Sequence, residues 1–218
     1  MLQRKQKVTE FNYLRIVYFY KLLFQYNRMN SSRNVLLPML YESPMTVFSM
    51  ATLCIMTGEG RDGVMAKKMN YYVKNGMLLN PRRGFYAKKG YKPEELACQL
   101  YPPCYVSLEY VLQKAGVVFQ YDSAITAVSY LSRNVMVDGR EFRYRKIKGE
   151  IAVNSTGVEH GNGISMASPE RAFLDVLYLS GEYHFDNLRP LSYKKVLEIL
   201  PIYKCRRLEE RVKTLFGK

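Results

Sequence analysis

Residues 60–90, GRDGVMAKKMNYYVKNGMLLNPRRGFYAKKG, encode a two-faced helix followed directly by a basic hairpin. Apolar side chains recur at helical spacing along one side of the first half: Met65, Met69, Tyr72 and Val73. The opposite side holds polar, basic and aromatic side chains: Lys67, Asn70, Tyr71 and Lys74. This spacing predicts a helix that packs on a core with its apolar side and presents a basic face to solvent.

Asn75-Gly76 predicts the end of this helix, because both residue types tolerate positive φ. The run MLLN-PRRG-FYA then predicts two short strands around a turn that carries Arg82 and Arg83. We expect Gly84, Phe85 and Tyr86 to be structural, with the glycine in the turn and the two aromatic rings fixing the hairpin. A helix followed by a basic hairpin is typical of a winged helix.

Two further helices are predicted upstream, over residues 33–41 and within PMTVFSMATLCIMTG, the latter with Thr46 as its N-cap. The short connection Thr57-Gly58-Glu59-Gly60 then leads to the basic helix. Two helices joined by a tight turn with glycine indicate a helix-turn-helix. We therefore predict a winged helix-turn-helix DNA-binding domain over residues 31–90.

The positive charge of the chain is concentrated in its first part. Residues 1–92 contain 16 Lys and Arg against 4 Asp and Glu, a net charge of +12, whereas residues 93–218 contain 17 against 15, a net charge of +2. A polyanion-binding surface is therefore expected in the first part. A basic helix face is also compatible with an ordinary solvated surface. Its position on the second helix of the pair, continued by a basic hairpin, favours double-stranded DNA as the partner.

The residues expected to contact DNA are Arg61, Lys67, Lys68, Asn70 and Tyr71 on the helix, with Arg82 and Arg83 on the wing. Arginine and lysine reach base edges or phosphates, and a wing arginine suits a narrow minor groove.

Residues 1–30 form an N-terminal extension, whose most apolar run, LRIVYFYKLLF, is too short and too charged to span a bilayer. It is predicted to be helical and to pack on the body of the protein or on a second copy. Alternatively, the protein starts at Met29. We expect no membrane partner and a cytoplasmic location.

No cofactor, metal site or enzymatic activity is expected. The four cysteines include no C-x-x-C pair, which argues against zinc and predicts reduced thiols. The pattern Ser192-Tyr193-Lys194-Lys195 matches S-x-x-K, but its companion motifs are missing, so a lysine-rich helix start explains it better. Neither a phosphate-binding loop nor an activated nucleophile is found.

The second part, residues 91–218, predicts an α+β domain with a mainly antiparallel sheet and C-terminal helices. Ser107 is predicted to cap a helix that ends at Gly116, and residues 154–163 are predicted to be a loop. Strands are expected on both sides of an Asp138-Gly139 turn. Ser168-Pro169 predicts a helix start, because a cap residue precedes proline at the first helical position.

Five motifs in order carry a family resemblance: NGMLLNPRRGFYA, CYVSLEYVLQKAGVV, AITAVSY, GREFRYRKI and SMASPERAFLDVLYL. This order resembles that of the AbiEi family, the antitoxins of type IV (AbiE-type) toxin–antitoxin systems. The resemblance extends from about Arg33 to Phe216. It implies a bacterial, cytoplasmic, two-domain protein whose winged helix binds inverted repeats in its own promoter as an autorepressor.

The resemblance also implies that the second domain counters a nucleotidyltransferase toxin encoded beside it, without requiring direct contact. Basic residues of the last helix are candidates for that role, although a solvated helix face is the favoured interpretation: Arg206, Arg207, Arg211 and Lys213. An alternative is a winged-helix transcriptional regulator whose second domain senses a ligand or dimerises, with no toxin partner.

Overall fold

A computed structural model describes residues 36–58 and 63–217. By its internal contacts the chain divides into two units, Met1–Gly90 and Tyr91–Lys218. The division falls at the end of the predicted 31–90 segment. The predicted N-terminal extension and Arg61 lie outside the described residues.

The first unit combines three described helices with a small sheet. Its elements are α1 (Leu36–Glu42), β1 (Val47–Ser49), α2 (Met50–Thr57), α3 (Gly63–Lys74), β2 (Leu79–Arg82) and β3 (Phe85–Ala87). The strands form an antiparallel sheet in the order β1-β3-β2. Its core is built by buried side chains from all three helices and the sheet: Met39, Leu40, Phe48, Leu53, Met56, Met65, Met69, Tyr72, Leu78 and Tyr86.

The predicted start of the second helix is wrong. Residues 47–49 form strand β1, which pairs with β3, and the Thr46 carbonyl accepts a backbone hydrogen bond from Lys88 at 2.9 Å. The N-cap of α2 is Ser49, whose hydroxyl accepts from the Thr52 amide at 3.1 Å. Val47 and Phe48 are β-formers that are fully buried in this strand, and their packing outweighs the helical pattern around them.

The second unit is built on one sheet of six strands. Its elements are α4 (Pro93–Leu100), β4 (Cys104–Val106), α5 (Glu109–Lys114), β5 (Ile125–Ser129), β6 (Arg133–Val137), β7 (Arg140–Lys146), α6 (Gly149–Ala152), β8 (Val158–Gly161), β9 (Ile164–Ala167), α7 (Pro169–Ser180), α8 (Tyr193–Ile199), a 3-10 turn (Leu200–Tyr203) and α9 (Arg206–Leu215). The strand order is β6-β7-β5-β4-β9-β8. The chain is thus α+β, as predicted.

The sheet is more mixed than the sequence predicts. The β6–β7, β4–β5 and β8–β9 pairs are antiparallel, whereas β5–β7 and β4–β9 are parallel. The parallel pairs arise because each hairpin joins the sheet through its second strand, so that β7 lies beside β5 and β9 lies beside β4. The tight Asp138-Gly139 turn is confirmed, with both residues at positive φ.

Two local predictions in this unit are wrong. Ser107 does not cap α5, since its hydroxyl donates to the Asp175 carboxylate at 2.8 Å and the α5 N-cap residue is Leu108. The predicted loop at residues 154–163 contains strand β8, which pairs with β9. The turn between them, Asn162-Gly163, has both residues at positive φ and therefore closes a tight hairpin.

The helix start at Ser168-Pro169 is confirmed, because the Ser168 hydroxyl accepts from the Arg171 amide at 3.2 Å.

Candidate nucleic-acid interface

Helix α3 separates its apolar and polar sides as its sequence predicts. Met65 and Met69 are completely buried and Tyr72 is nearly so. Lys67, Asn70 and Lys74 are exposed, and Tyr71 keeps 59% of its surface in solvent. The helix therefore presents two lysines, an amide and an aromatic ring on the side that faces away from the core.

The C-terminal end of α3 is held by backbone geometry. Gly76 has φ of +65°, and the Met77 amide donates to the Tyr72 carbonyl at 2.9 Å. The left-handed residue reverses the chain and satisfies carbonyls of the last helical turn. The Tyr41 hydroxyl then donates to the Met77 carbonyl at 2.5 Å, which ties this turn to α1.

The hairpin tip that carries the two arginines is anchored on both sides. The Asn80 side-chain amide donates to the carbonyls of Arg82 at 3.0 Å and Phe85 at 2.7 Å. Gly84 has φ of +85°, and its carbonyl accepts from the Met50 amide at 2.9 Å at the start of α2. A side chain at this φ would be strained, which explains why glycine occupies the turn. Arg83 is exposed and Arg82 is half-buried.

The structural residues that were predicted for the hairpin are found in place. Tyr86 is buried and belongs to the core of the first unit, and burial raises the pKa of its hydroxyl. Phe85 is half-buried and pairs with both Arg82 and Ser49. These contacts fix the hairpin against the rest of the first unit.

Charge in the described part of the first unit is strongly one-sided. Residues 36–58 and 63–90 contain seven Lys and Arg and a single acidic residue, Glu42. Lys88 has a structural role, because its ammonium donates to the carbonyls of Tyr41 at 3.1 Å and Ser43 at 2.6 Å and so holds the end of α1. The remaining cations lie on α3, at the hairpin tip and at Lys89.

Six of the seven predicted DNA-contacting residues are described. Lys67, Asn70 and Tyr71 share the exposed side of α3, with Lys68 half-buried at its flank. Arg82 and Arg83 lie at the hairpin tip. Lys74 follows Lys67 by two helical turns on the same side, as its spacing predicts, although it is not among the residues predicted to contact DNA. The 3.6-residue period of α3 already contained that signal.

The candidate residues of α9 have separate environments. The Arg206 guanidinium pairs with Glu210 at 3.1 Å on an exposed surface. Arg211 is half-buried and donates to the Leu177 carbonyl at 3.4 Å, beside a surface pocket of about 530 Å³. Arg207 and Lys213 are exposed. Two of the four side chains thus already have partners within the second unit.

The S-x-x-K motif has a structural explanation. The Ser192 hydroxyl accepts from the Lys195 amide at 3.5 Å and is the N-cap of α8.

Within residues 36–58 and 63–217, no group of three His, Cys, Asp or Glu side chains could hold a metal ion. In the same residues, no helix has both the length and the apolar character needed to cross a membrane.

A buried polar cluster in the second unit was not predicted. Arg171 and Asp175, one turn apart on α7, are fully buried and joined at 3.3 Å. Hydroxyl groups of Tyr105, Ser107 and Tyr203 donate to the Asp175 carboxylate at 3.0, 2.8 and 2.6 Å. The sequence signal was an opposite-charge pair at i, i+4 within a helix whose residues from Ala172 to Leu179 are otherwise mainly apolar.

No protein-family model matches this chain, and no curated protein matches it. Among solved structures, it is similar to the crystal structure of the RV2827C protein from Mycobacterium tuberculosis. The two share 12% identity with a TM-score of 0.48, over 83% of this chain and 74% of that chain.

Proposed function

We propose that residues 31–90 form a winged helix-turn-helix that binds double-stranded DNA in the promoter of the chain's own operon. The observation that carries the proposal is the basic, solvent-exposed side of α3, followed directly by a hydrogen-bonded hairpin with Arg82 and Arg83 at its tip. Seven cations against one carboxylate in the described part of this unit give the positive potential that DNA binding requires.

Each side chain has a role that suits its chemistry. In the proposed complex α3 lies in the major groove, where the Asn70 amide can pair with an adenine edge and Tyr71 contacts apolar base edges. Lys67, Lys68 and Arg61 contact phosphates or guanine edges. The wing arginines enter an adjacent narrow minor groove, whose negative potential favours guanidinium groups.

The Arg82→Ala/Arg83→Ala variant tests this proposal. We expect it to bind a duplex with the promoter's inverted repeats more weakly than the parent, because two cation–phosphate or groove contacts are lost. The slope of log K against log salt should decrease by about 2 units, at roughly one per lost contact. Fluorescence anisotropy at several salt concentrations measures both quantities.

A matched control removes the same charge elsewhere. Arg145 and Lys146 are adjacent, exposed cations on β7 of the second unit, and Arg145→Ala/Lys146→Ala should leave affinity and slope close to those of the parent. Equal losses of DNA affinity in the two double variants would show that binding depends only on the net charge of the chain and not on the position of the cations. Unchanged binding by the Arg82/Arg83 variant would remove the wing from the proposal.

The sequence resemblance extends the proposal to an antitoxin of a type IV system. In this role the second unit counteracts a nucleotidyltransferase toxin, and the first unit represses the shared promoter. Co-expression with a nucleotidyltransferase encoded beside the gene should restore growth of cells that the toxin arrests. Continued arrest at full expression of soluble chain, with DNA binding intact, would instead favour a transcriptional regulator without a toxin partner.

A further inference from the structure

Two cysteines of the second unit meet where α4 turns into β4. Cys98 lies in the last turns of α4, and Cys104 is the first residue of β4. The Cys104 sulfur lies 3.3 Å from the carbonyl oxygen of Cys98 and 3.4 Å from that of Ala97, and its thiol proton is shared between these two acceptors. The Cys104 thiol therefore lies against the backbone of Cys98, and both cysteines are reduced.

The surroundings of Cys98 favour its thiolate. The Ser165 amide donates to the Cys98 sulfur at 3.3 Å. Hydrogen bonds from Cys104 and this backbone lower the pKa of the Cys98 thiol, against the opposing effects of burial and of Glu95. The pKa of Cys104 is raised, because its proton is held by Cys98 and its site is buried. Cys98 is thus the better nucleophile of the two, and Cys104 is the thiol that stays protonated until the second step.

Both cysteines line one surface pocket. Its volume is about 420 Å³, and its wall includes Asn154, Ser155 and His160 beside the two cysteines. The His160 ring nitrogen Nδ1 makes a hydrogen bond to the Ser165 hydroxyl at 2.9 Å. Polar side chains around a half-buried dithiol give room for a small, hydrated reactant.

We propose that Cys98 and Cys104 form a thiol–disulfide exchange site for low-molecular-weight disulfides. The Cys98 thiolate attacks one sulfur of a disulfide R–S–S–R, which forms a mixed disulfide and releases the first thiolate R–S⁻, protonated by solvent. Cys104 then loses its proton and attacks the Cys98 sulfur, which releases the second R–SH and leaves a Cys98–Cys104 disulfide. The protein is oxidised by two electrons, and the small disulfide is reduced by two electrons to two thiols.

The reaction has a structural consequence at the neighbouring hairpin. The reduced Cys98 thiol donates to the Ser165 carbonyl at 3.4 Å and accepts from the Ser165 amide, so it connects α4 to β9. Turning the Cys98 sulfur towards Cys104 removes the first of these bonds, since a disulfide carries no proton. Oxidation should therefore loosen β9 and its partner β8 beside the pocket.

The test uses the full chain with oxidised glutathione as the probe. After acid quench and proteolysis, mass spectrometry should find a Cys98–Cys104 disulfide, two hydrogens lighter than the dithiol, before Cys54 or Cys205 forms an adduct. The Cys104→Ser variant should stop at a glutathione adduct on Cys98, because the resolving thiol is missing. The Cys98→Ser variant should leave Cys104 unmodified. Hydrogen exchange of the β8 and β9 amides should increase in the oxidised parent.

The parent alone decides the outcome if a variant fails to fold, as judged by circular dichroism. Faster glutathione adduct formation at Cys54 or Cys205 than reaction at Cys98 would overturn the proposal. So would a stable adduct on Cys98 in the parent without transfer to Cys104. Reduction of the oxidised chain by dithiothreitol should restore both thiols and the original exchange rates.

Discussion

Arg171 and Asp175 show how single residues fix the second unit. The Arg171 guanidinium donates to Asp175, to the Tyr105 hydroxyl at 2.9 Å, and to the carbonyls of Ile151 at 2.8 Å and Thr156 at 2.9 Å. Burial raises the pKa of Asp175, while the guanidinium and three hydroxyl donors act in the opposite direction. The pair thereby links α7 to β4 and to the segment around α6.

Asp175→Asn should strongly destabilise the second unit. The change keeps the shape of the side chain but leaves the buried Arg171 cation without its counter-charge. Removing one partner of a buried ion pair costs about 3–5 kcal/mol. The free energy of opening, measured by hydrogen exchange of the α7 amides, should decrease by that amount.

The matched control is Glu150→Gln, which removes an exposed carboxylate that pairs with Lys204 at 3.2 Å. Both side chains of this pair are largely in solvent, so the change should stay within about 0.5 kcal/mol. If Asp175→Asn were equally mild, the buried cluster would not hold α7 in place.

Local sequence signals predicted the elements whose geometry depends on nearby residues. The 3.6-residue period of α3, the glycine turn at Gly84, the Asp138-Gly139 turn and the Ser168 cap all appear where the pattern placed them. Each depends on backbone dihedrals or on a side chain a few residues away.

Elements that depend on distant partners were missed. Strand β1 is three residues long and exists because β3, nearly forty residues later, pairs with it. Ser107 is a reasonable cap by sequence, yet a carboxylate on α7 takes its hydroxyl instead. The parallel β5–β7 and β4–β9 pairs depend on how two hairpins join one sheet, which no local pattern encodes.

For the candidate DNA-contacting residues, too, local features could be predicted from the sequence and features that depend on distant residues could not. Exposure of Lys67, Asn70 and Tyr71 could be predicted because the helical period alone assigns them to the solvent side. The half-buried position of Lys68 and Arg82 depends on tertiary neighbours that the period does not contain. The proximity of Cys98 and Cys104 could not be predicted either, because their spacing matches no metal-binding or redox motif. It is the turn between α4 and β4 that places the Cys104 sulfur against the Cys98 backbone.

At the scale of the whole molecule, charge and contacts divide the chain at nearly the same place. Residues 1–92 carry +12 and residues 93–218 carry +2, and the contact-based division falls between Gly90 and Tyr91. The second unit has its own six-stranded sheet and its own buried core. A unit with these properties is expected to fold alone. We therefore assign the proposed DNA affinity to the first unit.

The most direct measurement of that assignment compares the affinity of the full chain and of a fragment starting at Tyr91 for one promoter duplex. We predict that the fragment is folded by circular dichroism and binds the duplex about a thousandfold or more weakly, the usual difference between specific and non-specific binding. Both titrations are made at the same salt concentration, because the electrostatic part of binding depends on it. A folded fragment that binds the duplex as tightly as the full chain would contradict the account.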